Sequence, residues 1–410
     1  MTTVALVGTL DTKGADYSFL ADQVRSVGVQ VLLVDAGTGE PTGGLIPDVT
    51  GDEVATAAGT DLAALRQADD RGAAVAAMAR GAAAVIAEAA GSGRIHGVLA
   101  AGGSGGSSIA AAVMAGLAVG FPKLLVSTMA SGDVSPYVGA KDVTLMYSVV
   151  DVAGINRVSR TVLGNAAVAV AAMAQRYAAA AGEQGDEDRP LVAASMFGVT
   201  TPAVQVASQR LREHGYEVLV FHATGAGGRA LEALAEDGVL AGVLDLTTTE
   251  LADDLVGGVL SAGPDRLTAA GRRGTPQVVA PGALDMVNFG PRDTVPTEFA
   301  DRNLFVHNPT VTLMRTTADE MAELGRRIAD KLARASGPTE VFWPLRGVSA
   351  LDAPGQPFAD PDADAAALAA LHAGLDGTQV PVREIDAQVN DETFAVAMAD
   401  RLHELITKEA

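Results

Sequence analysis

Along the chain, short apolar runs closed by glycine or a polar turn alternate with longer segments whose apolar positions recur every three or four residues. In the first half the runs are TVALVG from Thr3, VQVLLVDAG from Val29, GVLAAGG from Gly97, KLLVSTMASG from Lys123 and TLMYSVVD from Thr144. Between the first two, Tyr17, Leu20, Val24 and Val27 share one helical face, and Gly28 marks the end of that helix. Apolar runs of this kind, separated by helices, predict a mainly parallel sheet covered on both faces. A long alanine-rich segment, Arg160 to Ala181, reads as a helix that must be buried, either inside its domain or against another chain. GEQGDEDRP then interrupts the pattern with charge, glycine and proline.

The second half restarts the alternation with PLVAASMFG, YEVLVFHATG, GVLDLTTTE, QVVAPGALD, NLFVHNP and TEVFWPLRG. A late run, VPVREID, precedes a terminal helix from Asp391. The pattern predicts an α/β fold of two doubly wound, Rossmann-like subdomains with mainly parallel sheets. Residues 1–182 form the first, 183–189 a linker and 190–410 the second, with an inter-domain cleft as a favoured place for a ligand.

Composition narrows the function classes. A chain of 410 residues exceeds one ordinary core. The formal charge of −21 comes without a basic cluster, which excludes nucleic-acid binding driven by phosphate neutralisation. Charged or turn residues interrupt every apolar stretch, so no membrane span is expected. Met1 leads into an apolar strand with no basic start, so no signal peptide is expected either. With no cysteine, disulfide and thiolate chemistry are out, and a cytoplasmic protein is the expectation.

In an open parallel sheet, ligands collect where strands end and helices begin. Gly102, Gly103, Ser104, Gly105, Gly106 and Ser107 sit at such a point after GVLAA. Glycines let the backbone approach a ligand, and the following helix N-terminus favours negative charge. The same residues also suit a tight turn with serine caps. A second loop, VGTLDTKGAD, carries Gly8, Thr9, Leu10, Asp11, Thr12 and Lys13 to the same rim. Thr9 and Thr12 offer hydroxyl donors and Asp11 a contact to magnesium through water, although the spacing departs from the P-loop pattern. An Asp/Thr helix cap with a solvent lysine accounts for this loop equally well. Asp35, closing the second run, occupies the position from which a carboxylate meets ribose hydroxyls. Thr128 and Ser131, in STMASGD, join the rim after the fourth run.

These residues resemble the ATP-binding domain family named for the tomato mosaic virus resistance protein, which is otherwise known from uncharacterised bacterial proteins. The resemblance is carried by GTLDTKG at 8–14, GGSGGS at 102–107, DVAGINRVSRTVLGNAA at 151–167, FHATGAGGRALE at 221–232, LDLTTTELADDLVGG at 244–258, PGALDMVNFG at 281–290, HNPTVTLMRTT at 307–317 and PLRGVS at 344–349. It implies a two-subdomain α/β protein that binds ATP in its N-terminal half and forms dimers. It also implies that the further TIM-barrel-like domain of the plant members is absent here. ATP, with magnesium, is the expected cofactor, and a homodimer or higher homo-oligomer the expected assembly.

The second half carries a further set of candidates. His222 precedes a glycine loop, Glu250 closes GVLDLTTTE, Asp285 closes QVVAPGALD, and His307 and Arg315 flank HNPTVTLMR. Placed on one rim, they suit acid–base work on a small anionic metabolite, with Arg315 as counter-charge. Strand-end histidines bonding loops, and a capping box in DLTTTEL, explain the same residues structurally. The sequence leaves both an enzyme and a nucleotide-responsive binding module open, and no metal-ligand spacing decides between them.

Overall fold

The structure, a computed structural model, describes residues 1–180 and 189–409. The chain divides into two compact units, Met1–Asp186 and Glu187–Ala410. The expected linker at 183–189 lies, apart from Arg189, outside the described residues.

In the first unit the five predicted runs become β1 (Thr3–Gly8), β2 (Gln30–Asp35), β3 (Gly97–Gly102), β4 (Lys123–Ser127) and β5 (Thr144–Tyr147). All pair in parallel, in the order β2-β1-β3-β4-β5. The connecting helices are α1 (Leu10–Ser26), α2 (Gly51–Ala57), α3 (Leu62–Ala68), α4 (Arg71–Gly91), α5 (Ser104–Ala115), α6 (Ser135–Val138) and α7 (Arg157–Ala180). Alternation along β1 sends Ala5 and Val7 into a core with Met78, Ile86, Ile109 and Val113. Val4 and Leu6 enter the opposite core with Leu20, Val24, Leu163 and Val170. Both faces are covered, which is why the strands are apolar throughout rather than alternately polar.

One helix differs from its sequence-based expectation. α4 is long and apolar enough, by length and composition, to cross a membrane, which corrects the statement that every such stretch is interrupted. Its Met78, Ala82, Ile86 and Ala89 lie in the core, and a Cβ on Gly81 would meet the Val54 carbonyl oxygen at 1.9 Å, so α4 and α2 touch backbone to backbone. α7 buries Leu163, Ala166, Val170 and Ala174 but leaves Val168 and Tyr177 exposed. Only one face of that helix is enclosed.

The second unit builds a six-stranded parallel sheet from β6 (Leu191–Met196), β7 (Glu217–His222), β8 (Leu240–Thr247) and β9 (Gln277–Gly282), completed further along the chain. A separate three-stranded sheet comes next, from β10 (Met286–Phe289), β11 (Leu304–Asn308) and β12 (Val311–Arg315), before β13 (Thr339–Pro344) and β14 (Val382–Ile385). The large sheet has the order β14-β13-β9-β8-β6-β7, the small one β10-β12-β11. NLFVHNP is therefore no strand of the parallel sheet: it is β11, antiparallel to β12. The hairpin turns at Asn308, whose side chain accepts from the Thr310 amide at 2.9 Å.

The first five parallel strands of each unit share one order, with the second outside the first and the third on its other side. Each unit is thus doubly wound, and its winding reverses between β1 and β3 or between β6 and β8, where loops diverge and leave a crevice.

Candidate functional site: the β1/β3 crevice

Below the first crevice, Tyr17 of α1 is wholly buried; its hydroxyl donates to the Val7 carbonyl at 2.6 Å and accepts from the Ala101 amide at 2.9 Å. It bridges β1 and β3 near the ends of both strands. Above it, β3 ends at Gly102 and α5 begins at Ser104, with Gly103 in the capping position and no side chain capping the helix. The first amides of a helix have no acceptor within it. Ser104, Gly105 and Gly106 line a cavity of about 740 Å³, so these donors border open space.

Thr9, Asp11, Thr12 and Lys13 form a second wall of that cavity, and Ala36 to Gly39 a third. The Asp11 Oδ2 accepts from the Gly39 amide at 2.8 Å, whereas its buried Oδ1 has no partner. Lys13 donates to the Val152 carbonyl from a kink in α1. The fourth wall carries Leu65, Arg66, Asp69, Asp70, Arg71, Ala74, Val75 and Met78 from α3 and α4, facing Ile109 of α5. Arg66 donates to the Thr38 carbonyl and its Nη2 lies 3.5 Å from Glu40. Asp70 caps α4 through the Ala73 amide at 3.0 Å. The cavity thus combines helix amides and the cations of Lys13, Arg66 and Arg71 with the aliphatic side chains of Leu65, Val75, Met78 and Ile109.

Other expected ligand residues do not line this cavity, and most of them have contacts within the scaffold. Asp35 is 2% exposed and accepts from the Leu10 amide at 3.1 Å and the Gly37 amide at 2.9 Å. Burial pushes its carboxyl up while those donors pull it down. It tethers two loops to each other and is not turned to the cavity. Leu10 is a core side chain. Ser107 is buried, its Oγ 2.7 Å from the Ser127 Oγ, tying the glycine loop to β4. Gly8 and Gly102 are glycines because of packing: a Cβ would lie 2.0 Å from the Tyr17 ring and 3.2 Å from the Gly106 Cα. Thr128 borders a smaller cavity beside β5, and Ser131 is exposed on the loop after β4.

The C-terminal candidates fall into two buried groups and two exposed histidines. Glu250 is fully buried; it accepts from Arg266 Nε at 2.6 Å and from the Gly225 and Gly228 amides at 2.7 and 3.0 Å. Arg266 also bonds Asp245 and lies 3.2 Å from Glu232. His222, exposed at the end of β7, stacks on Phe197 with ring centres 5.5 Å apart. Arg315 is held by Asp352 at 3.1 Å and Asp364 at 3.0 Å. Beside it Asp285 accepts from Ser349 Oγ at 2.8 Å, and burial pushes its carboxyl up. His307 sits exposed on β11, in the antiparallel sheet. The inference that His222, Glu250, Asp285 and His307 all follow strands of one parallel sheet fails for His307, and Arg315 closes β12 of the same antiparallel sheet. Among the described residues, no group of three or more His, Asp or Glu is arranged to hold a metal.

The model of the uncharacterised protein family UPF0261, N-terminal domain, matches residues 2–179, and that of its C-terminal domain matches residues 189–406. The chain belongs to this family. A UPF0261 protein of Clostridium tetani is 48% identical over 99% of both chains. The UPF0261 protein RA0729 of Rhizobium meliloti is 46% identical over 97% of both. The ToMV resistance protein Tm-1(GCR237) of Solanum lycopersicum is 40% identical over 99% of this chain and 56% of its own length. Among solved structures, a putative UDP-N-acetylglucosamine 2-epimerase from Listeria monocytogenes is similar at 11% identity, over 93% of this chain and 99% of that one, with a TM-score of 0.25. That likeness is too loose to add to the strand order.

For this UPF0261 chain, Arg66 and Arg71 are two cationic cavity residues that sequence reasoning missed. They stand at a helix–helix junction rather than after a strand, where no glycine marks them. The available signal is Asp69-Asp70-Arg71: Asp69 takes a left-handed conformation (φ 50°) and Asp70 caps the helix that Arg71 opens.

Proposed function

We propose that the first unit binds ATP in the β1/β3 crevice, its phosphates against Gly103 to Gly106 and its base against the aliphatic side chains of Leu65, Val75, Met78 and Ile109. The observation that carries this is the uncapped start of α5 opening on a cavity of ligand size: about 300–1,000 Å³ is usual for small-molecule sites. Helix-terminal amides favour phosphate oxygens, and Arg71, which has no ion-pair partner among the described residues, adds a cation at the rim. Asp11 would repel a bare triphosphate, but its unpartnered Oδ1 suits a magnesium ion shared with the phosphates. Magnesium characteristically takes one or two carboxylates plus phosphates rather than an all-protein cage. Bound there, the ion would neutralise phosphate charge, while the loop amides orient the chain of phosphates.

The test is substitution of Gly103 and Gly105 by valine. A Cβ on Gly105 meets nothing within 4 Å, and one on Gly103 meets only the Thr128 Oγ1 at 3.7 Å, so both side chains enter open space without disturbing the sheet. Calorimetry should show Mg-ATP affinity falling by about 100-fold or more, as the loss of two charge-assisted hydrogen bonds requires, with an unchanged melting temperature. Wild-type affinity in the double variant rejects the assignment.

A further inference from the structure

A second cavity, of about 330 Å³, opens where β4 and β5 end, lined by Thr128, Tyr147, Ser148, Val149, Val150 and Asp151. Two contacts connect it to the nucleotide cavity. Thr128 lies against Gly103, its Oγ1 3.7 Å from where a Cβ on that glycine would stand. Lys13, which lines the larger cavity, donates to the carbonyl of Val152, the residue after Asp151. The smaller cavity shows signs of a built site. Ser148 is 4% exposed, and its Oγ is buried without a hydrogen-bond partner. Val149 is held at φ 65°, a conformation that β-branched residues avoid and that surrounding structure must enforce.

The lining selects a ligand class. Among the described residues no lysine, arginine or histidine lines the cavity, so an anion would face the Asp151 carboxylate without a counter-charge. An apolar ligand would leave the Ser148 hydroxyl unsatisfied. Ligand hydroxyls both donate and accept, which suits the Thr128 and Ser148 hydroxyls and the Asp151 carboxylate together. Tyr147, half of whose surface is open, offers a flat apolar face to the C–H side of a sugar. We propose that this cavity is a binding subsite for a small uncharged polyhydroxylated molecule, a sugar or polyol. Its place as the second ligand of a nucleotide site rests on the ATP reading above, whereas its chemistry does not.

Saturation-transfer NMR on the full chain, with and without Mg-ATP, tests it using D-ribose and erythritol as probes and D-glycerate as the charged control. The two neutral probes should give signals at the protein's expense and glycerate none. Ser148→Ala and Asp151→Asn should each weaken ribose binding about tenfold, the effect of one hydrogen bond to a buried or charged partner, while Mg-ATP affinity by calorimetry stays at the wild-type value. Asp151 is exposed, so its variant stays folded and serves if Ser148→Ala does not. Silence from both neutral probes in the wild type overturns the subsite, as do unaffected variants or glycerate binding as strongly as ribose. Ribose binding without ATP binding rejects the nucleotide reading and keeps the subsite; ATP binding without ribose does the reverse.

Discussion

The two units reverse their winding in the same way, yet their crevices hold opposite things. Between β1 and β3 the chain leaves helix amides and the Arg71 guanidinium unmatched around open space. Between β6 and β8 the chain supplies its own occupant. The fully buried Arg266 bonds Asp245 and the Thr247 carbonyl at the end of β8, and Glu250 just beyond it, while Ser195 of β6 donates to Asp245 at 2.7 Å. The cavity of about 400 Å³ that borders β6 and β7 includes none of the five C-terminal candidates among its lining. A shared topology fixes where a ligand can go. Whether it is invited depends on whether the local charges already cancel.

Arg266→Met breaks the contrast most severely. It leaves Asp245 and Glu250 buried without their cation, and removing one partner from such a network costs about 3–5 kcal/mol. Urea unfolding followed by amide exchange should show protection lost in the second unit and retained in β1, β3 and α5. Equal loss in both units contradicts the separation of the two cores.

A smaller effect sharpens the comparison through pH. Burial pushes the carboxyls of Asp285, Asp352 and Asp364 up, against the pull of Arg315. A carboxyl whose folded pKa exceeds its unfolded value favours the fold at low pH and loses that contribution as pH rises through the folded pKa. From about pH 4, the unfolded value, toward neutral and above, this cluster should therefore cost the second unit stability. Asp285→Asn removes one titrating group while preserving an acceptor for Ser349. Denaturation at pH 5 and pH 8 should show the decline between them reduced by about 1–2 kcal/mol. An unchanged slope would mean that Asp285 does not take up its proton on folding.

The smallest effect belongs to the exposed histidines. His222→Ala and His307→Ala should each change stability by less than about 0.5 kcal/mol and leave Mg-ATP affinity within twofold in calorimetry. A larger loss of affinity in either variant would extend the nucleotide site beyond the first unit.

The strands of the first unit were legible because burial leaves them largely apolar and glycine ends β1 and β3. The cavity was legible in part for the same reason: Gly103 to Gly106 follow a strand. Sequence alone does not separate Gly103 and Gly105, which border open space, from Gly8 and Gly102, which make room for Tyr17 and for Gly106. Nor does it show that Asp35 turns inward, since a carboxylate at a strand end serves a ribose or two backbone amides equally well. In the second unit β10 was missed because MVNF is short and adjoins the PGALD loop. β12 was missed because the turn that pairs it with β11 is made by the Asn308 side chain rather than by glycine.

Tyr17 gives the first crevice a mechanical character of its own. Its ring sits wedged beneath the ends of two paired strands, its hydroxyl joins Val7 to Ala101, and burial pushes the phenol far above its ordinary range. The proton that fastens the wedge to Val7 therefore stays in place through neutral and mildly alkaline solution. The spacing of the two strand ends is thus set by the chain itself, before any ligand arrives.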